Sequence, residues 1–367
     1  MARLKHSNAK CSVTPNGSAV DALTFKMMRA SIPQRCYERS FGIGICILSI
    51  AFIVYGTTTY LLYTAKSLSA LTVFVVLRGF AVAPTFIVGH DACHDALTPS
   101  ARWNCVLARI ALLPSWHTYT AWRYRHNFVH HRYTQILGLD SGYPPADATQ
   151  FRRMKILQRL QYRLSRTIPF AGLLYFPEWF WSHIMPNVEK RKEYKLAGRY
   201  FALDYAIIIL YMACEVALFS GLFSRFGLVA KSHFHPAVML FCGIIITQFL
   251  WNWEMGVVTF LHHFHPNVPW YRDSDAPPAA ERHLVSTIHV RFPIGLNWGF
   301  FNILEHTAHH VCPQIPCYQL GRAQNALQGA YAGLMTQENF SPTMLRKTFR
   351  ECKLYDPVAK VWIGYPR

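Results

Sequence analysis

The sequence predicts an all-α integral membrane protein, with four transmembrane helices and a cytosolic helical cap that holds a di-metal site. Three observations lead there. The chain of 367 residues is 52% hydrophobic and only 15% charged, a membrane-protein composition. Four stretches stay apolar for long enough to cross roughly 30 Å of hydrocarbon as helices. Eight histidines stand in three short boxes: His90-Asp-Ala-Cys-His94, His126-Asn-Phe-Val-His130-His131 and His306-Thr-Ala-His309-His310.

Residues 41–63 form the first span and carry no charge. After a tight turn around Lys66, residues 67–88 form the second, which is interrupted only by Arg78 and runs directly into the first box. Residues 200–223 are the third span and residues 236–261 the fourth. At about 1.5 Å per residue the fourth is about 39 Å long, so its end should protrude from the bilayer. Residues 105–114 are too short to cross and include Arg109. Residues 168–184 are broken by Pro169, Pro177 and Glu178 and are rich in aromatics, which suits a segment lying along the headgroups.

Four crossings put the amino-terminal tail, residues 89–199 and everything from residue 262 onward on one side, together with all three boxes. A single extra crossing would put the bilayer between box one and box three. The three same-side segments hold seven, sixteen and ten Lys plus Arg, against Lys66, Arg225 and Lys231 in the opposite connections. The positive-inside rule therefore places the boxes and both termini in the cytosol, in a bacterial inner membrane or the endoplasmic reticulum. The expected organisation is a basic cytosolic tail over 1–40, a membrane domain over 41–340 and a cytosolic tail over 341–367. No cleaved signal is expected, because the first 40 residues lack an apolar core.

A net charge of +18 on a polar domain would suggest nucleic acid, but no zinc-finger spacing or RNA-binding signature accompanies it, so a membrane surface or anionic substrate fits better. The ten cysteines are spread singly, which favours reduced thiols packed as small hydrophobes. The run Glu189 to Lys195 reads as a solvated cap helix. Arg78, Asp204, Glu215 and Glu254 each cost roughly 2.5–3.5 kcal/mol if central in lipid, so they should face the protein interior or snorkel. Trp251 and Trp253 read as core or belt residues rather than substrate wall. Arg123, Arg125 and Arg132 interleave with box two, where they meet lipid phosphate or solvent.

Residues three or four apart share a helix face, so His90 with His94, His126 with His130, and His306 with His309 and His310 should converge. Imidazole ligates iron, zinc, copper or nickel. One zinc site takes about four protein ligands, so eight candidates imply two metals. Asp91, Asp95 and Glu305 adjoin box histidines and are expected to accept the second ring N–H of a ligand. His117, His183, His233, His235, His283 and His289 stand alone and read as surface or core residues, with His289 kept as an alternative ligand.

The boxes, their order and their placement after the second span, before the third and after the fourth resemble the membrane fatty acid desaturase superfamily over residues 85–320. The segment Thr259-Phe-Leu-His-His263, followed by His265-Pro and Pro269-Trp-Tyr-Arg, is similar to acyl-lipid desaturases that act on already unsaturated chains. The resemblance implies two iron ions held by His90, His94, His126, His130, His131, His306, His309 and His310 plus one histidine just beyond the fourth span. By motif position that ninth is His263, with His262 as the competing choice and His265 behind it. Where some members have an asparagine four residues before this histidine, this chain has Thr259.

Desaturation would consume O₂ at a redox metal, which zinc is not. It would act on a fatty acyl lipid or acyl thioester and draw electrons from a separate ferredoxin, or from a small cytochrome with its reductase. No HPGG signature or ferredoxin-type cysteine spacing is present in the chain itself. Rival outcomes of the same site are hydroxylation, acetylene formation, carotenoid ketolase-like oxygenation and terminal-alkene-forming decarboxylation. A non-catalytic membrane metal or haem protein is the alternative of a different class.

Overall fold

The computed structural model describes residues 23–184 and 198–366. The run Glu189 to Lys195 and the first 22 residues lie outside that range. Four helices are long and apolar enough to cross a membrane: Phe41–Tyr63, Leu68–Cys93, Tyr200–Phe219 and Pro236–His263. Ser40 caps the start of the first by accepting from the Ile43 N–H (3.3 Å); at the turn between the spans, Thr64 Oγ1 donates to the Tyr60 carbonyl (2.8 Å) and Ser67 caps the second by accepting from Ala70 (3.2 Å). Outward-facing Ile53, Val73, Ile209, Leu210 and Ile245 stay exposed, as a hydrocarbon solvent requires.

The span boundaries differ from the sequence reading where backbone chemistry intervenes. The second helix continues past residue 88 to Cys93 and carries His90 on its last turn. The fourth continues to His263. The third stops at Phe219 rather than 223, because Gly221 takes a left-handed conformation (φ 77°) that ends the helix.

Of the four costly residues expected in the spans, Arg78, Asp204 and Glu215 are paired. Arg78 on the second span forms an ion pair with Glu215 on the third and bonds to the Gly243 carbonyl on the fourth. Its Nε also donates to Thr59 Oγ1 of the first span (3.0 Å). Glu215 in turn accepts from Tyr55 (2.9 Å) and from the Trp116 indole N–H (2.8 Å). One buried polar knot thus ties all four spans together. Asp204 accepts from Arg109 (2.7 Å) and from the Thr120 backbone N–H (2.7 Å), which fixes the third span against the segment leading to box two. Glu254 is the exception.

The short amphipathic helix Ala101–Ala111 keeps Trp103, Val106 and Ile110 exposed. The segment from Ile168 to Ile184 is a 3₁₀ turn, a helix (Gly172–Trp179) and a π-helical turn (Phe180–Ile184). It packs against the fourth span at two glycines. A Cβ on Gly256 would sit 2.1 Å from the Ala171 carbonyl oxygen, and one on Gly172 would sit 2.8 Å from the Trp253 nitrogen. Only glycine permits backbones this close.

The cap is mostly helical but not wholly so. Ile288–Arg291 pairs in parallel with Thr336–Asn339, and Leu354–Asp356 pairs antiparallel with Val361–Ile363. Residues 341–366, most of the expected carboxy-terminal tail over 341–367, are largely folded onto the domain. The helix Pro342–Glu351 stacks Phe349 on Phe260 of the fourth span (4.1 Å between rings), and the Trp362 indole N–H donates to the His265 carbonyl (2.9 Å). Met28 and Cys36, from the expected amino-terminal tail, are likewise buried.

Replacing Arg78 with Leu leaves Glu215 buried without its charge partner and should cost about 3–5 kcal/mol. The R78L/E215L double variant should recover part of that loss. Thermal unfolding of the purified protein in detergent checks both.

Candidate metal centre

All eight box histidines and His263 meet at one end of the four-span bundle. They sort into two groups that cut across the boxes. His90, His94, His126 and His309 form one; His130, His263, His306 and His310 form the other; ligand atoms within each lie no more than 4.8 Å apart. His131 joins the first, its Nε2 being 3.1 Å from Nε2 of both His126 and His309.

Backbone form explains the sorting. Box one ends the second span, with His90 on the last turn and His94 at its C-cap, so both reach the same group. Box two is not an α-helix: Tyr124–His130 is π-helical, following a short α-helical turn at Tyr119–Arg123. A π-helix bonds residue i to i+5 and widens the turn, so that i+4 and i+5 lie to either side of residue i. The His126 and His130 rings do stack (5.3 Å between centroids), as expected, but His126 Nε2 meets His131 while His130 belongs to the other group. In box three, His306–Val311, the four-residue spacing brings His306 and His310 together (Nε2 to Nε2, 3.0 Å) while His309 faces the first group.

The ring nitrogens fit metal ions. His90 and His126 Nε2 lie 2.8 Å apart, and so do His306 and His263 Nε2. Two donors each about 2.1 Å from one ion, at near right angles, have this separation. Burial, then the neighbouring imidazoles, holds His126, His131, His306, His309 and His310 well below the usual histidine pKa, which leaves them neutral, the form that ligates. His94 is lowered likewise.

The three carboxylates named from sequence bond elsewhere. Asp91 accepts from the Cys317 backbone N–H (2.6 Å), Asp95 pairs with Arg123 (2.6 Å), and Glu305 lies 2.7 Å from His289 and accepts from Asn297 (2.8 Å). Each neighbours a histidine in sequence, but Asp91 points away on its helix, Asp95 follows the helix end in a left-handed conformation (φ 57°) and Glu305 precedes the first turn of its helix. The carboxylate that does orient a box histidine is Asp140, whose Oδ1 lies 2.8 Å from His130 Nδ1 and leaves Nε2 for a metal. Asp140 Oδ2 also accepts from the Gln135 N–H (2.8 Å), and the Gln135 side chain donates to the His263 carbonyl (2.8 Å). One carboxylate thus braces histidines from two distant segments. A Cβ on Gly142 would come within 2.7 Å of His130 Nδ1, so the contact depends on glycine there. No spacing rule marks Asp140; its only signal is a turn-forming Gly-Leu-Asp-Ser-Gly run after box two.

The remaining histidines are placed individually. His283 lies against His131 and His310 and donates from Nδ1 to the His310 carbonyl (2.8 Å). His262 stacks on His306 (4.3 Å), and His265 lies 3.3 Å from Glu338. His117 bonds to Ser115 and Tyr175, and His183 lies 3.2 Å from Thr118. Arg125 pairs with Glu178 rather than standing free in solvent.

A mostly apolar cavity opens on both histidine groups. Phe86, Ile87, Met255, Val258 and Leu304 line it, with His90 and His126 from one group and His130, His263 and His306 from the other. Trp251 is buried in the core, as expected, and packed on Phe86 (4.8 Å between rings); the same ring also lines the cavity, which the sequence reading did not expect. Trp253, two residues on, faces away and donates to the Ile168 carbonyl (2.8 Å).

The family model described as "Fatty acid desaturase" matches residues 66–337. Among curated proteins, the chain is 24% identical over 337 residues to an sn-1 oleoyl-lipid 12-desaturase of Synechocystis sp., covering 89% of this chain and 88% of that protein. It is 26% identical over 320 residues to an sn-1 acyl-lipid omega-3 desaturase (ferredoxin) of the same organism, covering 83% and 80%. A chloroplastic omega-6 fatty acid desaturase of Brassica napus is 24% identical over 352 residues, covering 92% and 71%.

Asp140→Asn should weaken metal binding about 10- to 100-fold by releasing His130 and loosening His263. Metal content per chain after dialysis against graded chelator measures it, and retained thermal unfolding of the metal-free protein separates this from misfolding.

Proposed function

We propose, from the premise that the chain belongs to the fatty acid desaturase family, that it introduces a C=C bond into a lipid acyl chain, with O₂ as co-substrate and two iron ions held by the nine histidines. The observation that supports this most directly is the single apolar cavity walled by histidines of both groups. Iron bound there would supply the redox chemistry by which O₂, two electrons from an external donor, two protons and two hydrogens from adjacent methylenes give an alkene and two waters. His90, His94, His126, His131 and His309 would hold one ion, and His130, His263, His306 and His310 the other.

The protein contributes placement and exclusion. Phe86, Ile87 and Val258 offer no hydrogen bonds, so an acyl chain displaces water from the cavity and one C–C bond is held beside the histidines. Asp140 keeps the His130 ring in one tautomer. The basic counts of the connecting segments favour a cytosolic position for the histidine end. A ferredoxin is the proposed donor, being the donor printed in the names of the omega-3 relatives of Synechocystis sp. and Nostoc sp..

Expression in a host with co-expressed ferredoxin, followed by lipid profiling with labelled fatty acids, tests the reading. The expected product lacks two hydrogens, carries a new double bond, depends on O₂, and falls to background in His263→Ala. A product with one added oxygen and no new double bond would assign hydroxylation instead.

A further inference from the structure

The cavity wall carries polar atoms that its own surroundings leave unmet. Glu254, on the fourth span, is 5% exposed, and neither carboxyl oxygen has a hydrogen-bond partner among the described residues. Trp251 is 1% exposed, and its indole N–H is also without one. The two are three residues apart on one helix, hence on one face, and both line the cavity. The other three costly residues of the spans, Arg78, Asp204 and Glu215, are all paired. Leaving a buried donor or acceptor unmet costs about 1–3 kcal/mol, more for a charged group, so an acyl cavity with a purely hydrocarbon occupant has no use for this pair.

We infer that the cavity is built for an acyl chain bearing a hydroxyl group, held between Glu254 and Trp251. A hydroxyl donates to a carboxyl oxygen and accepts from an indole N–H, so it meets both orphaned groups at once. An ammonium meets the carboxyl and leaves the indole N–H without an acceptor, and a methylene meets neither. Glu254 precedes His263 by nine residues, about 13 Å along the helix axis, so the hydroxyl lies well along the chain from the carbon beside the metals. Glu254 and Trp251 thereby decide which chain is held and take no part in its oxidation. The inference rests on the acyl-chain reading of the cavity.

Ligand binding without turnover tests it. Thermal stabilisation of the full-length protein in lipid nanodiscs is titrated with a long-chain saturated fatty acid and with its monohydroxy isomers, the hydroxyl walked along the methyl-side half. At least one isomer should bind about tenfold or more tighter than the plain chain. Glu254→Met should abolish that preference, Glu254→Gln should keep part of it, and Trp251→Phe should reduce it. Glu254→Met removes an unpaired buried carboxyl, so the variant should fold at least as stably as the parent. Equal binding of the plain chain and every isomer would mean that water fills the site and would overturn the inference, as would a preference that survives Glu254→Met. Hydroxyl preference in this titration together with no oxidised product in the lipid profiling above would overturn the acyl-oxidation reading and leave this one standing.

Discussion

Everything in this structure depends on bringing four segments, far apart in sequence, to one end of a four-helix bundle. Nine rings packed this closely could not all be charged, because burial and like-charge neighbours both oppose it. Burial holds His126, His131, His306, His309 and His310 neutral, which leaves their lone pairs available to a metal. The Arg78–Glu215 knot serves that end from a distance, since it fixes the four spans against one another and thereby fixes where the second and fourth helices deliver His90 and His263.

Much of this was legible in the sequence because lipid and metal both impose simple patterns. An uncharged run such as residues 41–63 has one physical solution in a bilayer, and the histidine spacings have few alternatives once all three boxes must share a side. What the sequence did not disclose depends on contacts between distant segments or on irregular backbone. The π-helical turn at Tyr124–His130 has no spacing signature, yet it decides which ion His130 would face. Asp140 braces His130 through a turn, whereas the carboxylates chosen by adjacency, Asp91, Asp95 and Glu305, bond to other groups. The folding of residues 341–366 onto the domain was hidden because a short polar segment with a few aromatics reads as a tail until Phe349 finds Phe260.

The cavity joins an apolar wall to the histidine groups. Phe86, Ile87 and His90 come from the second span and Met255, Val258 and His263 from the fourth, so the packing of these two helices sets much of its shape. The close approach at Gly256 and Gly172 seats the aromatic segment against the fourth span, which helps close the cavity from the side. Glu254 and Trp251 are among the unpaired polar groups of the fourth span, which ends in His262 and His263.

Two histidine groups sorted across the boxes, with the adjacent His309 and His310 in different groups, should hold two ions. Metal content of protein reconstituted anaerobically with ferrous iron tests this. Two iron ions per chain are expected, with nitrogen-rich coordination at both by X-ray absorption. A single ion per chain, or zinc displacing iron at equal stoichiometry during reconstitution with both, would contradict it.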